Sequence, residues 1–302
     1  DLMVLRIIND NNWNRPIYFG VTVSPTSMLN LDNYLQMEGL AYRLVNNSNQ
    51  IINQNKMSDN LLSYIGDNSW FTDYDSNKYN LLNRDISKEY QRGYIFRNLA
   101  NEKVYVDPQL GRLVQNYRTG FVRLSISHYL NKDFQKAEAA LLKMEEIMPS
   151  SIIPIPSKQL QYQIAQVYSG VGNQAKMKYH MKELVERKDL LLEDYILYGK
   201  TFIQLLEDYD ESKLIFETIY QNYKLIEQSI LRRGFTATKI SEKDWQDWQQ
   251  SLPEIIYLLF LSYKNLEMYD EAKILLNDWI NKNPADDNAK ELLEEILQLE
   301  SS

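Results

Sequence analysis

Apolar residues recur at helical spacing on both sides of a short polar turn in residues 253–284. Large apolar side chains repeat on one face of each segment, and a small residue opens the second segment. These positions are Ile256, Leu259, Tyr263, Ala272, Leu276 and Trp279. Because a small side chain lets two helices approach closely while bulky ones fill the groove, the pattern predicts a helical hairpin that ends at Pro284.

The same pattern recurs upstream in repeats that start at residues 118, 158 and 193, so that the hairpin from residue 253 is the fourth repeat. Ala137 takes the small position in the first repeat and Ser212 takes it in the third, whereas Met177 in the second is large enough that we expect a splayed pair. The spacing resembles that of the tetratricopeptide repeat of about 34 residues. A final amphipathic helix over 285–299 is expected to cap the repeats, with an inward face of Leu292, Leu293, Ile296 and Leu297.

The N-terminal stretch has a different pattern. Residues 2–11 predict a short helix, and residues 15–23 and 40–45 have the β-branched and aromatic content of strands. Two strands are not stable alone in water, so this module must pack against a helix, the repeats or further chain.

Together these patterns predict a mainly α fold, a tetratricopeptide-like helical-hairpin solenoid with a small N-terminal α/β module. The expected domains are the module at 1–48, an irregular connector with short helices at 49–108, and repeats with a capping helix at 109–299. The polar run 46–58 predicts a loop. Four connector aromatics predict either packing of an irregular segment or a carbohydrate or peptide surface; they are Trp70, Phe71, Tyr74 and Tyr79.

Two segments of the module carry a family resemblance. NNWNRPIYFGVTVS at 11–24 and LDNYLQMEGLAYRLV at 31–45 closely resemble the region after the last membrane span of bacterial multi-spanning proteins related to protein O-mannosyltransferases. The resemblance implies an extracytoplasmic, periplasmic location and a membrane-embedded, glycosyltransferase-like parent with spans upstream. In that family the chemistry depends on an acidic residue near the start of the membrane portion, which residues 1–302 do not include. No catalytic position therefore carries over.

Composition narrows the classes of function. The 33 basic and 41 acidic residues give a net charge of -8, which disfavours a nucleic-acid partner. The absence of Cys excludes disulfides and thiolate catalysis, and no apolar run is long enough for a membrane span. His128 and His180 lack an acidic or His neighbour at the i+4 spacing that a helical metal site needs. The acidic pair Glu145-Glu146 predicts a helix face exposed to solvent. We therefore predict no metal or other cofactor.

Charged residues of the module form one candidate functional group. Arg15, Glu38 and Arg43 lie in the segments that carry the resemblance. Charges that flank strands pair either with each other or with the headgroup of a ligand, and both interpretations stay open.

The inner surface of the repeats forms the other candidate. The first helix of each hairpin is expected to line the concave side, where a protein or peptide would bind. This surface would bring together Val122, Ile126, Tyr129, Gln161 and Gln166. Trp245 and Trp248, three residues apart on a helix, predict either an aromatic platform or core packing.

These patterns favour a non-catalytic extracytoplasmic repeat domain that binds an acceptor or partner protein for a glycosyltransferase-like membrane protein. The alternative is a freestanding tetratricopeptide adaptor in a multiprotein complex. A third hypothesis is a soluble enzyme with its site between the N-terminal strands and the repeats. The first two differ in what precedes Asp1, because upstream membrane spans would exclude the adaptor.

Overall fold

The structure of the chain, a computed structural model, describes residues 2–46, 51–62, 94, 96–235 and 240–300. Across these ranges there are eleven α-helices and three short strands, and the strands all lie near the N-terminus. The predicted mainly α fold of helical hairpins with a small N-terminal module is confirmed. The chain divides into two compact units, residues 1–180 and 181–302, and the predicted boundaries at 48 and 108 stay predictions.

The strands are β1 Tyr18–Gly20, β2 Leu35–Met37 and β3 Ala41–Leu44. The first helices are α1 Leu2–Asn11, α2 Gln54–Leu61, α3 Pro108–Leu130, α4 Phe134–Ile147, α5 Lys158–Gly170 and α6 Gln174–Val185. The remaining ones are α7 Leu192–Leu206, α8 Tyr209–Arg233, α9 Glu242–Asn265, α10 Tyr269–Lys282 and α11 Asp287–Glu300. The connector aromatics Trp70, Phe71, Tyr74 and Tyr79 lie outside the described residues.

The N-terminal module is an antiparallel sheet with the strand order β1-β3-β2. Tyr18 lies opposite Arg43 in one pair of strands, and Leu35 lies opposite Leu44 in the other. The helix over 2–11 and both predicted strands are present, although each strand is shorter than predicted. The core of the module joins the sheet to α1 and contains Phe19, Met28, Leu35 and Leu44 with Val4 and Ile8 packed against them.

The predicted loop over 46–58 is wrong from Gln54 onward, because α2 begins at that residue. The Asn53 side chain caps this helix by accepting a hydrogen bond from the Lys56 N–H at 3.2 Å. Met57 and Leu61, four residues apart, are both fully buried, and a side chain at Gly120 of α3 would meet Leu61 at 3.5 Å. Only one face of α2 is apolar, and its short length hid that face among polar residues.

Strand β2 was not predicted, since three residues are too few to show an alternating pattern. Its outer edge is covered by the segment that leads into α2. The Met37 N–H donates to the Ile51 carbonyl at 2.8 Å, and the Asn53 N–H donates to the Met37 carbonyl at 3.0 Å. These bonds join the sheet to the rest of the first unit.

The hairpin of α3 and α4 follows the predicted packing. Ala137 is fully buried, and its carbonyl accepts a hydrogen bond from the Ser125 hydroxyl at 2.6 Å. Arg118, which is 1% exposed, fixes the segment after α4 by donating to the carbonyls of Met148 at 2.9 Å and Ile153 at 2.7 Å. A buried guanidinium with several carbonyl acceptors ties the segment after α4 to the middle of α3.

In the second unit, small residues again let helices approach each other. A side chain at Gly199 of α7 would meet the Phe216 ring of α8 at 2.5 Å, and the Ser212 and Ser262 hydroxyls lie 3.0 Å apart between α8 and α9. Close backbone approach explains why these positions are Gly and Ser.

Two details of this unit differ from expectation. Helix α9, whose first turn is fixed by a capping box of Ser241 and Asp244, continues without a break through Pro253, where the last repeat was expected to start. In α11, Ile296 is fully buried but Leu297 is 49% exposed, so the predicted inward face is narrower than proposed.

Candidate functional site

A cleft of about 600 Å³ lies beside the N-terminal sheet of the first unit, and we call it the sheet cleft. Its volume is in the range of small-ligand and peptide-side-chain pockets. The loop after β1, the turns before β2, strand β3, the segment before α2 and helix α3 all contribute to its walls. The lining residues are Val21, Val23, Met28, Asp32, Asn33, Leu35, Tyr42, Ile51 and Arg123.

Arg123 of α3 gives the sheet cleft its cation. Its Nη1 donates to the Tyr42 hydroxyl of β3 at 2.9 Å and lies 3.7 Å from the Met37 sulfur. Among the described residues no acceptor is bonded to its Nε or Nη2, so the second edge of the guanidinium is available at the cleft. An arginine edge of this kind matches a carboxylate in a bidentate geometry.

The remaining walls combine apolar and acidic groups. Met28 and Leu35 are buried under the cleft, and Val21 and Val23 are half-buried beside them. The exposed Asp32 carboxylate makes no ion pair with a residue that the structure describes. The cleft therefore offers an apolar floor with one cation and one anion on its walls.

Glu38 and Arg43, two of the predicted site residues, are brought together elsewhere in the module. An Arg43 nitrogen lies 3.7 Å from a Glu38 carboxylate oxygen, and Glu38 is 6% exposed. Glu38 also accepts hydrogen bonds from the Tyr18 hydroxyl at 2.9 Å and the Asn53 amide at 3.1 Å. Since side chains alternate along a strand, Arg43 lies on the face of β3 opposite Tyr42. The ion pair of Glu38 and Arg43 therefore stabilises the module and lies outside the sheet cleft.

Burial and the neighbouring Glu38 carboxylate raise the pKa of Tyr18, which keeps its hydroxyl a hydrogen-bond donor. Arg15 is exposed, and its carbonyl accepts a hydrogen bond from the Asn11 amide at 2.7 Å. The structure therefore joins Glu38 to Arg43 but places no described contact between Arg15 and either of them.

The predicted inner-face residues divide into buried and accessible ones. Val122 is 1% exposed and Gln161 is 4% exposed, so both belong to the packed interior. Ile126 and Tyr129 are half-buried and Gln166 is exposed. A side chain at Gly170 of α5 would meet the Tyr129 ring at 2.5 Å, so that ring packs at the end of α5. Partner binding by any of these residues stays a prediction.

Trp245 and Trp248 pack within the second unit. Trp245 is 8% exposed and stacks on Tyr223 at 4.9 Å between ring centroids, and Trp248 lies 6.4 Å from the same ring. These contacts join α9 to α8, so the packing interpretation describes Trp245 better than an open platform does.

A second polar cluster lies between α4, α5 and α6 around Glu145. Its carboxylate accepts a hydrogen bond from the Tyr168 hydroxyl at 2.6 Å, lies 2.8 Å from Nε2 of His180 and binds the Lys176 ammonium. Burial opposes ionisation of Glu145, but the hydrogen bonds from His180, Lys176 and Tyr168 outweigh it and lower its pKa to about 2. Burial and the Glu145 carboxylate in turn raise the pKa of Tyr168. The interpretation of Glu145 as solvated is wrong.

The sequence carried a partial signal for this cluster and none for the sheet cleft. Glu145 follows the buried Leu141 by four residues, which puts it on the packed face of α4. His180 finds its acid partner on another helix, where a search at i+4 spacing does not reach. Arg123 meets Tyr42 across 81 residues of chain.

Neither cluster has the chemistry of a metal centre. In the ranges that the structure describes, His, Asp and Glu side chains form no group of three or more suited to a metal ion. None of the described helices has a stretch long and apolar enough to cross a membrane.

Part of the chain is similar to a known protein family. Residues 1–61 match the family model described as TMEM260-associated domain 2. The matched range contains α1, the sheet and α2, and it supplies every lining residue of the sheet cleft except Arg123. The match covers 61 of the 302 residues, so it shows a similarity of this region to a TMEM260-associated domain. No curated protein and no solved structure matched the chain.

Proposed function

We propose that this chain is a non-catalytic, extracytoplasmic accessory region of a glycosyltransferase-like membrane protein and that it binds an acceptor or partner protein. The observation that carries the proposal is the match of residues 1–61 to TMEM260-associated domain 2, because those residues build the sheet module. The transfer chemistry would then belong to a membrane-embedded part of the parent protein, on the periplasmic side of a bacterial inner membrane.

The helical hairpins support a binding role. Stacked hairpins present extended surfaces that protein partners recognise, and the exposed Gln166 lies on a helix proposed to line such a surface. The net charge of -8 makes a protein or peptide a better partner than a nucleic acid. The proposal includes no cofactor.

A glycan-transfer assay tests this proposal. The full-length product of the gene would be compared with a version that lacks residues 1–302, using secreted proteins of the same cell as acceptors. We expect membrane insertion to be unchanged and transfer to the acceptors to be lost. Unchanged transfer by the shortened protein would contradict the proposal.

The alternative, a freestanding adaptor, is supported by the hairpin fold itself, which is typical of scaffolds that assemble complexes. The sequence upstream of Asp1 separates the two. Multiple membrane spans encoded there would exclude the adaptor, and their absence would exclude the link to a transferase.

A further inference from the structure

We propose that the sheet cleft binds an extended peptide segment that carries an apolar side chain close to an Asp or Glu. This inference rests on the proposed function and specifies its binding surface and partner chemistry. It moves the peptide site from the concave face of the repeats, where Val122 and Gln161 are buried, to the opening between the sheet and α3.

The cation of the cleft selects an anionic group on the ligand. Tyr42 holds Arg123 through Nη1 alone, which orients the guanidinium while leaving its Nε and Nη2 edge without a protein acceptor in the described chain. A carboxylate accepts two parallel hydrogen bonds from such an edge, whereas an amide of the same shape lacks the charge. The predicted preference is therefore for Asp or Glu over Asn or Gln.

The floor of the cleft selects an apolar group. Val21, Val23 and Leu35 line it together with Ile51, which is 75% exposed at the rim. Burying one Leu or Val side chain of a ligand there removes apolar surface of both partners from water. A free sugar or a phosphate offers no such side chain, so these two ligands satisfy only part of the site.

Polar groups on the walls suit the backbone of a peptide. The amide of Asn33 both donates and accepts hydrogen bonds, and the Asp32 carboxylate accepts them. An extended peptide supplies N–H and C=O groups between its side chains, at a spacing of about 3.3 Å per residue. An apolar residue and an acidic residue two positions apart lie on the same side of an extended peptide and would then reach the floor and Arg123 together.

The test measures binding of capped heptapeptides to the 302-residue chain by fluorescence anisotropy. The peptides place one Leu or Val at varied distances from one Asp or Glu in a Ser and Gly background, and each has a partner with the acid replaced by its amide. We expect at least one spacing to bind about tenfold more tightly than its amide partner, as is typical for a charge-assisted pair. No binding by any peptide, or equal binding of acid and amide, would overturn the inference.

Two variants locate the site. Arg123→Gln should remove the preference for acid over amide, whereas Arg112→Gln, on the exposed surface of the same helix, should preserve it. Ile51→Glu should weaken all the peptides without affecting folding, because that side chain is exposed and only its backbone bonds to Met37. Equal behaviour of the Arg123 and Arg112 variants would overturn the inference.

Methyl NMR provides an independent measurement. Titration of the best peptide should shift the methyl signals of Val21, Val23 and Ile51 and leave the exposed Ile274 of the second unit unchanged. Shifts confined to residues outside the cleft would contradict the inference.

The two proposals fail separately. If no peptide binds but the shortened parent loses glycan transfer, the sheet cleft is not the peptide site and the proposed function is supported. If peptide binding depends on Arg123 but the shortened parent keeps glycan transfer, the sheet cleft is supported as a peptide site and the accessory role is contradicted.

Discussion

In the α3–α4 hairpin, fully buried Leu124 and Ala137 come from helices that follow each other directly along the chain. In the sheet module, buried Glu38 is held by Tyr18, Arg43 and Asn53, which come from three separate segments. In the hairpin, apolar packing joins neighbouring segments, whereas in the module polar bonds add to a small apolar core and bring distant segments together. A periodic pattern of apolar residues therefore predicts the first region well and the second poorly.

The cluster around Glu145 shows that the hairpin region combines both kinds of stabilisation. Its donors come from α5 and α6, and they meet the carboxylate across 23 to 35 residues of chain. Variants can separate the contribution of packing from that of polar bonds.

The largest effect is expected from overfilling the α3–α4 interface. Ala137→Leu adds three carbon atoms where the side chain is fully buried, and should lower the free energy of unfolding of this region by about 3 kcal/mol. Urea unfolding with hydrogen exchange of α3 and α4 peptides would measure the loss. Ala139→Leu, on the exposed face of α4, is the matched control and should change little. Equal effects of the two variants would argue against close packing at residue 137.

The next effect concerns the ionised Glu145. Its pKa falls from 4.5 to about 2 on folding. A lowered carboxyl pKa stabilises the fold above pH 4.5, and this contribution of roughly 3 kcal/mol is lost as the pH falls towards 2. Glu145→Gln should remove most of it and flatten the dependence of urea stability on pH between about 5 and 2.

The matched control for this variant is Glu146→Gln. Glu146 is exposed on the next position of α4 and pairs with Lys143 at 2.8 Å, so its loss should cost only a few tenths of a kcal/mol. A Glu145→Gln protein that keeps the acid-dependent loss of the wild type would show that another group causes it.

The smallest effect is expected in the module. Glu38→Gln keeps the shape of the side chain but removes the charge beside Arg43 and weakens the hydrogen bond from Tyr18, a loss of roughly 1–2 kcal/mol. Hydrogen exchange should speed up in residues 18–44 and stay unchanged in α7 to α10. The exposed Glu102→Gln is the control. Faster exchange throughout the chain would mean that the module and the hairpins do not respond separately.

Elements that depend on local sequence were predicted correctly, and those that depend on contacts between distant segments were missed. The helix over 2–11 and the small residue at 137 were predicted because each depends on residues within a few positions of one another. Helix α2 and strand β2 were missed because each is short and is stabilised by distant contacts, those of Gly120 with Leu61 and of Ile51 with Met37. The role of Glu145 was missed because its partners lie on other helices.

The sequence by itself determined the helical class, the order of most hairpins and the presence of a strand-containing N-terminal module. Helical and strand periodicity extend over only a few residues and can be read directly along the sequence. Only the tertiary structure decided which charges meet. It paired Glu38 with Arg43, surrounded Glu145 with three donors, and placed Arg123 beside Tyr42 at an apolar opening. Hydrogen bonds and ion pairs act over a few ångströms in space, and sequence spacing does not reveal which residues folding brings within that range.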